Sequence, residues 1–243
     1  MRYLLAVALT AILAACHPAW AAPKKAPPPS VDTYIPEQAV QHLPTLSAQV
    51  KEVWPAFPAP NYFAALIEHE SCISLTHSKC WNPTSRLKSD REEGAGLGQL
   101  TRAFKADGST RFDALADAKR LDPKGLNDLR WETVYSRPDL QMRVLILMSR
   151  SNWNRLDKLV ENADGKLAMT DAAYNGGLGG VLNERRACSL REGCDPDKWF
   201  GHVEKVCLKS TKPLYAGRSA CDINRHHVHD VLHTRMPKYR GRV

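Results

Sequence analysis

The chain has 243 residues, of which 43% are hydrophobic, and carries a formal charge of +8. That suits one substantial domain with an N-terminal appendage, and it excludes a chain too polar to build a core. The charge is uneven: residues 185–243 hold 13 Lys and Arg against 6 Asp and Glu. A basic C-terminal region points to an anionic partner (nucleic acid, lipid head groups or an acidic wall polymer) or simply to a soluble basic surface.

In MRYLLAVALTAILAAC a basic residue precedes about a dozen apolar ones and then small residues, the order of a secretory signal. The run is shorter than the roughly 20 residues a spanning helix needs. Residues 1–15 are therefore read as a signal peptide. Leu13-Ala14-Ala15-Cys16 resembles the bacterial lipobox, in which Cys16 would be lipidated and become the mature N-terminus. Ala19-Trp20-Ala21 fits an ordinary A-x-A exit, which would release a soluble periplasmic protein. The lipobox is preferred because the apolar run ends against it. Either exit exports the chain, which removes nucleic acid as a partner and leaves a membrane contact through the lipid anchor. Six cysteines remain after export, namely Cys72, Cys80, Cys188, Cys194, Cys207 and Cys221. In an oxidising compartment they suggest three disulfides, with 15 connectivities open; sequence neighbours give the simplest set, 72–80, 188–194 and 207–221. No C-x-x-C pair supports zinc.

Residues 16–55 read as a Pro-rich tether and lead-in, and residues 56–243 as the folded domain. HPAWAAPKKAPPPS suits an extended tether, and residues 31–60 read as short helical pieces. Phe63, Leu66 and Ile67 have the i, i+3, i+4 spacing of a buried helical face. Residues 94–98, GAGLG, form a turn, and QLTRAFKA after it is expected to be a helix. PDLQMRVLILMSRSNWNRLDKLVENA is the longest helix candidate, predicted to stop near Asp164-Gly165. KLAMTDAAYN is a helix ending at Gly176-Gly177, and NRHHVHDVLH is the last. Nothing alternates strongly enough for a large sheet, so the fold class is mainly α.

Within LIEHES, at about 100° per residue and with Phe63 at zero, Glu70 falls at about 340°, inside the apolar arc, and Glu68 at about 140°, opposite it. Glu68 is expected to be solvated. Glu70 is expected to be desolvated, which would raise its carboxyl pKa and suit it to general-acid work. A buried glutamate satisfied by backbone or arginine is the plainer reading of the same angle.

Glu70-Ser71, Trp81-Asn82-Pro83, Gly96-Leu97-Gly98-Gln99 and Ala173-Tyr174-Asn175-Gly176-Gly177 occur in that order. Together they resemble the lytic transglycosylases of the soluble-lytic-transglycosylase type, in the lysozyme-like superfamily, over roughly residues 61–185. A Cys72–Cys80 disulfide would close an insertion between the first two motifs. The resemblance implies a lysozyme-like helical domain with a disulfide-stabilised C-terminal extension. It implies cleavage of the β-1,4 bond between N-acetylmuramic acid and N-acetylglucosamine in peptidoglycan glycan strands, without cofactor or metal. Glu70 would protonate the glycosidic oxygen, then take the proton of the muramyl C6 hydroxyl as a 1,6-anhydro ring closes. Participation of the substrate's acetamido group makes a second carboxylate unnecessary. Ser71, Gln99, Tyr174 and Asn175 would contact glycan or hold Glu70.

Two departures stand out. Gly98 replaces the family's methionine, and the place of a tyrosine on the C-terminal helix falls to His227. His226, His229 and His233 share i, i+3, i+7 spacing, but no accompanying motif calls for a metal. Asp90, Glu92 and Glu93 could supply the base of a hydrolytic muramidase, although a solvated acidic loop is the preferred reading. A non-catalytic wall-binding lipoprotein of a secretion or phage apparatus is the alternative from another class. His17 after Cys16, under the usual sorting rule of Gram-negative bacteria, directs a lipoprotein to the outer membrane.

Overall fold

The structure, a computed structural model, describes residues 27–243; the expected signal peptide, Cys16 and the expected Ala21 exit lie outside the described residues. Helix α1 (Glu37–Val53) carries Ala39, Leu43, Leu46, Val50 and Val53 on one stripe, and all five are buried. Spacing of three and four puts them on one face, which packs against α4 (Pro138–Leu156) and α2 (Asn61–Ser71). The lead-in expected to run to residue 55 therefore contains a single long helix that belongs to the body of the fold.

Helix α2 is enclosed rather than amphipathic. Tyr62 through Glu68 are all buried, and so is Ser71. Large side chains such as Phe63, Leu66 and Ile67 each contribute about 1.5–3 kcal/mol by leaving water. This overturns the solvated reading of Glu68, whose wheel angle assumed that one side of the helix faced water. Glu68 is fully buried, and it accepts from Arg235 Nη1 at 2.8 Å and Tyr239 Oη at 2.6 Å, with Lys238 Nζ at 2.7 Å. Its partners come from the C-terminal turn, 167 to 171 residues away in sequence.

Cys72 and Cys80 are bonded, as are Cys188–Cys194 and Cys207–Cys221. Ser71 Oγ donates to Ile67 O at 2.6 Å and accepts from Trp81 N–H at 3.0 Å, fastening the far end of the insertion to the end of α2. The chain then forms an antiparallel sheet in the order β1 (Arg86–Lys88), β2 (Glu92–Ala95), β3 (Leu100–Phe104) and β4 (Thr110–Asp113). The segment QLTRAFKA, expected as a helix, is strand β3 with a residue or two on each side. Ala95 pairs with Leu100 across the Gly96–Gln99 turn, so the hairpin claims this backbone before helix propensity can act. Gln141 of α4 clamps the turn: its Oε1 accepts from Leu97 N–H at 2.8 Å, while Nε2 donates to Val134 O and Pro83 O. At Gly96, with φ +65, a Cβ would lie 2.0 Å from Gln141 Oε1, so glycine is required there.

Helix α3 (Ala114–Leu121) starts at Asp113, whose side chain accepts from Ala116 N–H. Helix α4 ends at Leu156, well before Asp164-Gly165. Asn162 instead caps a new helix, α5 (Ala163–Gly176), accepting from Gly165 N–H at 2.7 Å. Helices α6 (Leu178–Ser189) and α7 (Ala220–His229) follow, and α7 runs on into a π-helical turn (Asp230–Arg235). A short hairpin, β5 (Pro213–Tyr215) with β6 (Arg218–Ser219), lies within the Cys207–Cys221 loop. One core joins α1, α2, α3, α4 and the inner face of the sheet; a second, around Met169, Val181, Trp199 and Val228, lies among α5, α6 and α7. The described chain is mainly α, and among the described residues no helix is long and apolar enough to cross a membrane.

Candidate active site

The last turn of α2 delivers Glu70, α5 delivers Asp171, Tyr174 and Asn175, and α7 delivers Asn224 and His227. Their meeting point is a chain of hydrogen bonds. Tyr62 Oη donates to Asp171 Oδ1 at 3.1 Å, His227 Nδ1 lies 2.8 Å from Asp171 Oδ2, and His227 Nε2 lies 2.9 Å from Glu70 Oε1. Asp171 is 0% and His227 2% exposed in their side chains, whereas Glu70 keeps 17%. The chain therefore runs from a closed interior to a carboxylate that solvent or substrate can reach. Glu70 lies largely out of water, in keeping with its place in the apolar arc, but α7 presents it with a polar ring instead of a core side chain.

Burial pushes the His227 imidazolium toward neutrality. The Asp171 charge, with hydrogen bonds to Asp171 and Glu70, outweighs that and raises the ring to about 10. Both ring nitrogens face carboxylate oxygens, an arrangement that favours the imidazolium, in which each bond is charge-assisted.

Tyr174 donates from Oη to Gly98 O at 2.7 Å. A Cβ at residue 98 would lie 2.8 Å from that Oη and 2.9 Å from Leu145 Cδ1, so the glycine in the GLGQ turn is what lets Tyr174 approach. Burial, then the charges of Glu70 and Asp171, hold the Tyr174 phenol well above its ordinary value, and it remains a donor. Asn175 Oδ1 accepts from Asn224 Nδ2 at 2.9 Å, and that amide also reaches Ala172 O. Asn175 itself stays exposed. Gln99, at φ +43, folds its amide back onto Gly96 O at 3.0 Å. Ser71 is buried and fully used by Ile67 and Trp81. The structure thus joins Glu70 to His227, ties Tyr174 to the Gly98 turn and Asn175 to Asn224 on the helix that carries His227, holds Gln99 in that turn, and sets Ser71 inside the fold.

A cleft of about 600 Å³ opens beside this cluster, with Glu92, Thr101 and Phe112 on the sheet side and Asn152, Tyr174 and Asn175 on the helical side. Tyr174 lines the cleft and its phenol is raised by the Glu70 charge, while Glu70 itself is not one of the lining residues. The three acids before the glycine turn part company. Asp90 is exposed and Glu92 reaches the cleft, while Glu93 is buried and held by Arg86 at 2.6 Å, Arg102 at 2.9 Å and Tyr135 at 3.2 Å. Burial pushes the Glu93 carboxyl up, but those three donors outweigh it and hold the carboxyl below its usual range. The solvated acidic loop is corrected accordingly: one acid is structural and one faces the cleft.

Asp171, Asn224 and Tyr62 are site members that the motif reading missed. The available signal was Asp171, the one charged residue in LAMTDAA, three residues before Tyr174. Among the described residues no three His, Cys, Asp or Glu are arranged to hold a metal ion. His233 instead packs on Phe200 at 4.4 Å. No protein-family model matches the chain, and no curated protein matches it.

Proposed function

We propose that this chain is a peptidoglycan lytic transglycosylase of lysozyme-like fold, exported by its N-terminal signal and anchored to the outer membrane through Cys16. The observation that carries the reading is convergence. Glu70, the Gly98 turn and Tyr174 lie up to 104 residues apart in sequence, yet Tyr174 bonds Gly98, lines an open cleft and lies within reach of the Glu70 charge. Glu70 protonates the oxygen linking N-acetylmuramic acid to N-acetylglucosamine. As C1–O breaks, the substrate's acetamido group stabilises the cation-like carbon. The Glu70 carboxylate then takes the C6 hydroxyl proton while O6 bonds to C1, closing the 1,6-anhydro ring. Tyr174 sets the wall beside the acid, and the exposed amide of Asn175 is placed to meet an acetamido group.

Glu92 on the cleft wall favours one second reading, a muramidase that activates water. Mass analysis of fragments released from purified peptidoglycan by residues 27–243, beside Glu70→Gln, separates the readings. Anhydro-muramyl ends that vanish in the variant are the expected result. Reducing ends would make the protein a hydrolase with Glu92 as its base. No fragments from folded, wall-binding protein would leave a binding lipoprotein of a secretion or phage apparatus.

A further inference from the structure

We infer that His227 is the proton-holding partner of Glu70: clamped between Glu70 and Asp171, it keeps the proton that Glu70 delivers and takes it back within each turnover. The inference rests on the transglycosylase reading and deepens it, because it assigns the acid's proton to a second residue.

The difficulty it resolves is visible in the geometry. A glutamate acting as an acid near neutral pH is commonly kept protonated by an apolar pocket, and Glu70 has none. It is part-exposed and faces an imidazolium at 2.9 Å. In that pair the charged form, imidazolium with carboxylate, and the neutral form, imidazole with carboxylic acid, contain the same single proton. Moving it from Nε2 to Oε1 needs no proton from solvent. Asp171 stabilises the ring in both forms, since Nδ1–H donates to Oδ2 throughout, and Tyr62 supports Asp171 from behind.

The step balances. The Nε2–H bond breaks and an Oε1–H bond forms, leaving neutral His227 and an acidic Glu70. Glu70 passes that proton to the glycosidic oxygen as the C1–O bond cleaves. The C6 hydroxyl proton moves to the Glu70 carboxylate as O6 bonds to C1, and from there to Nε2. No net proton is gained or lost, and no co-reactant is required. His227 acts through Glu70 and touches no substrate, so it is a positioning residue.

Other titratable groups surround the ring. From α2, His69 stands edge-on at 4.3 Å between centroids, with its Nδ1 2.6 Å from Asp230 Oδ2. Asp230 is also bound by Arg235 Nε at 2.5 Å. Tyr174 of α5 lies beside Glu70, and His226 is the neighbour on α7 itself. The two carboxylates bonded to the ring are the anions that His227 contacts directly.

The test combines ring-nitrogen NMR of ¹⁵N-histidine-labelled protein with pH–rate profiles of the wild type, His227→Gln and Asp171→Asn. The expected result is that His227 holds protons on both nitrogens to about pH 9. In His227→Gln, turnover should drop on the order of 10²-fold near pH 8 but much less near pH 5, where solvent can protonate Glu70. Asp171→Asn should lower the His227 titration and shift the profile in the same direction. A wild type in which His227 is neutral at pH 7 while the Glu70 carboxyl, read by ¹³C NMR, is ionised overturns the inference, and needs no variant to fold. Variant profiles parallel to the wild type, differing only in height, overturn it as well and leave a structural role. If the wild type releases no glycan fragments, the function reading fails and takes the proton's role with it, while the NMR titration separately decides whether the shared-proton pair exists.

Discussion

Replacing Glu68 by alanine should be among the most damaging single changes in the chain, although Glu68 lies two residues from the proposed acid and looks like its twin in the sequence. The carboxylate is fully buried between Arg235 and Lys238, whose side chains are 13% and 3% exposed, and it accepts the Tyr239 hydroxyl. Removing it leaves Lys238 with no carboxylate partner, Arg235 with Asp230 alone, and the buried Tyr239 phenol without its acceptor. Breaking a buried ion pair from one side costs about 3–5 kcal/mol. That is a large part of the 5–15 kcal/mol that typically holds a domain together. In urea, with the disulfides intact and a slope of about 3 kcal/mol per M, the unfolding midpoint should fall by about 1–1.7 M. The affected region includes the C-terminal turn, so proteolysis near Arg235 should accelerate in parallel. A loss below about 1 kcal/mol would refute the reasoning, because it is the value expected of a solvated carboxylate.

Two further outcomes follow from the same geometry. Gly98→Ala should destabilise the fold by about 1–3 kcal/mol through overpacking against Tyr174 and Leu145, and glycan cleavage should fall by more than the stability loss explains; thermal unfolding alongside fragment release checks both. The pH dependence of stability has a defined sign at each end. His227 is raised from an ordinary 6.5 to about 10, so its contribution is complete below 6.5 and is lost as the pH rises from there through about 10. Glu93 is held below its ordinary 4.5, so its contribution is present above that value and is lost as the pH falls below it. Urea midpoints across pH should therefore sag at both ends, with the alkaline sag reduced in His227→Gln and the acid sag in Glu93→Gln.

What was legible in the sequence was local. The apolar spacing in α2, α4 and α5, the end of α5 at Gly177, and the three disulfides between neighbouring cysteines all depend on residues a few positions apart. The four-motif order singled out Glu70, Tyr174 and Asn175, and the family's tyrosine place on the last helix singled out His227. Only tertiary structure could decide whether a helical face meets water. Helix α2 is enclosed all round from Tyr62 to Glu68, and so the wheel that put Glu68 in water assumed a solvent face that is not there. The same limit applied to QLTRAFKA, whose helical composition yields to backbone pairing across the Gly96–Gln99 turn, and to α4, which stops where Asn162 opens a new helix. Asp171 and Tyr62 could not be named as site residues from sequence, because their roles exist only where α2, α5 and α7 cross. Burial of a charge is a property of the elements packed around it, and a pattern read along one element contains no information about its neighbours.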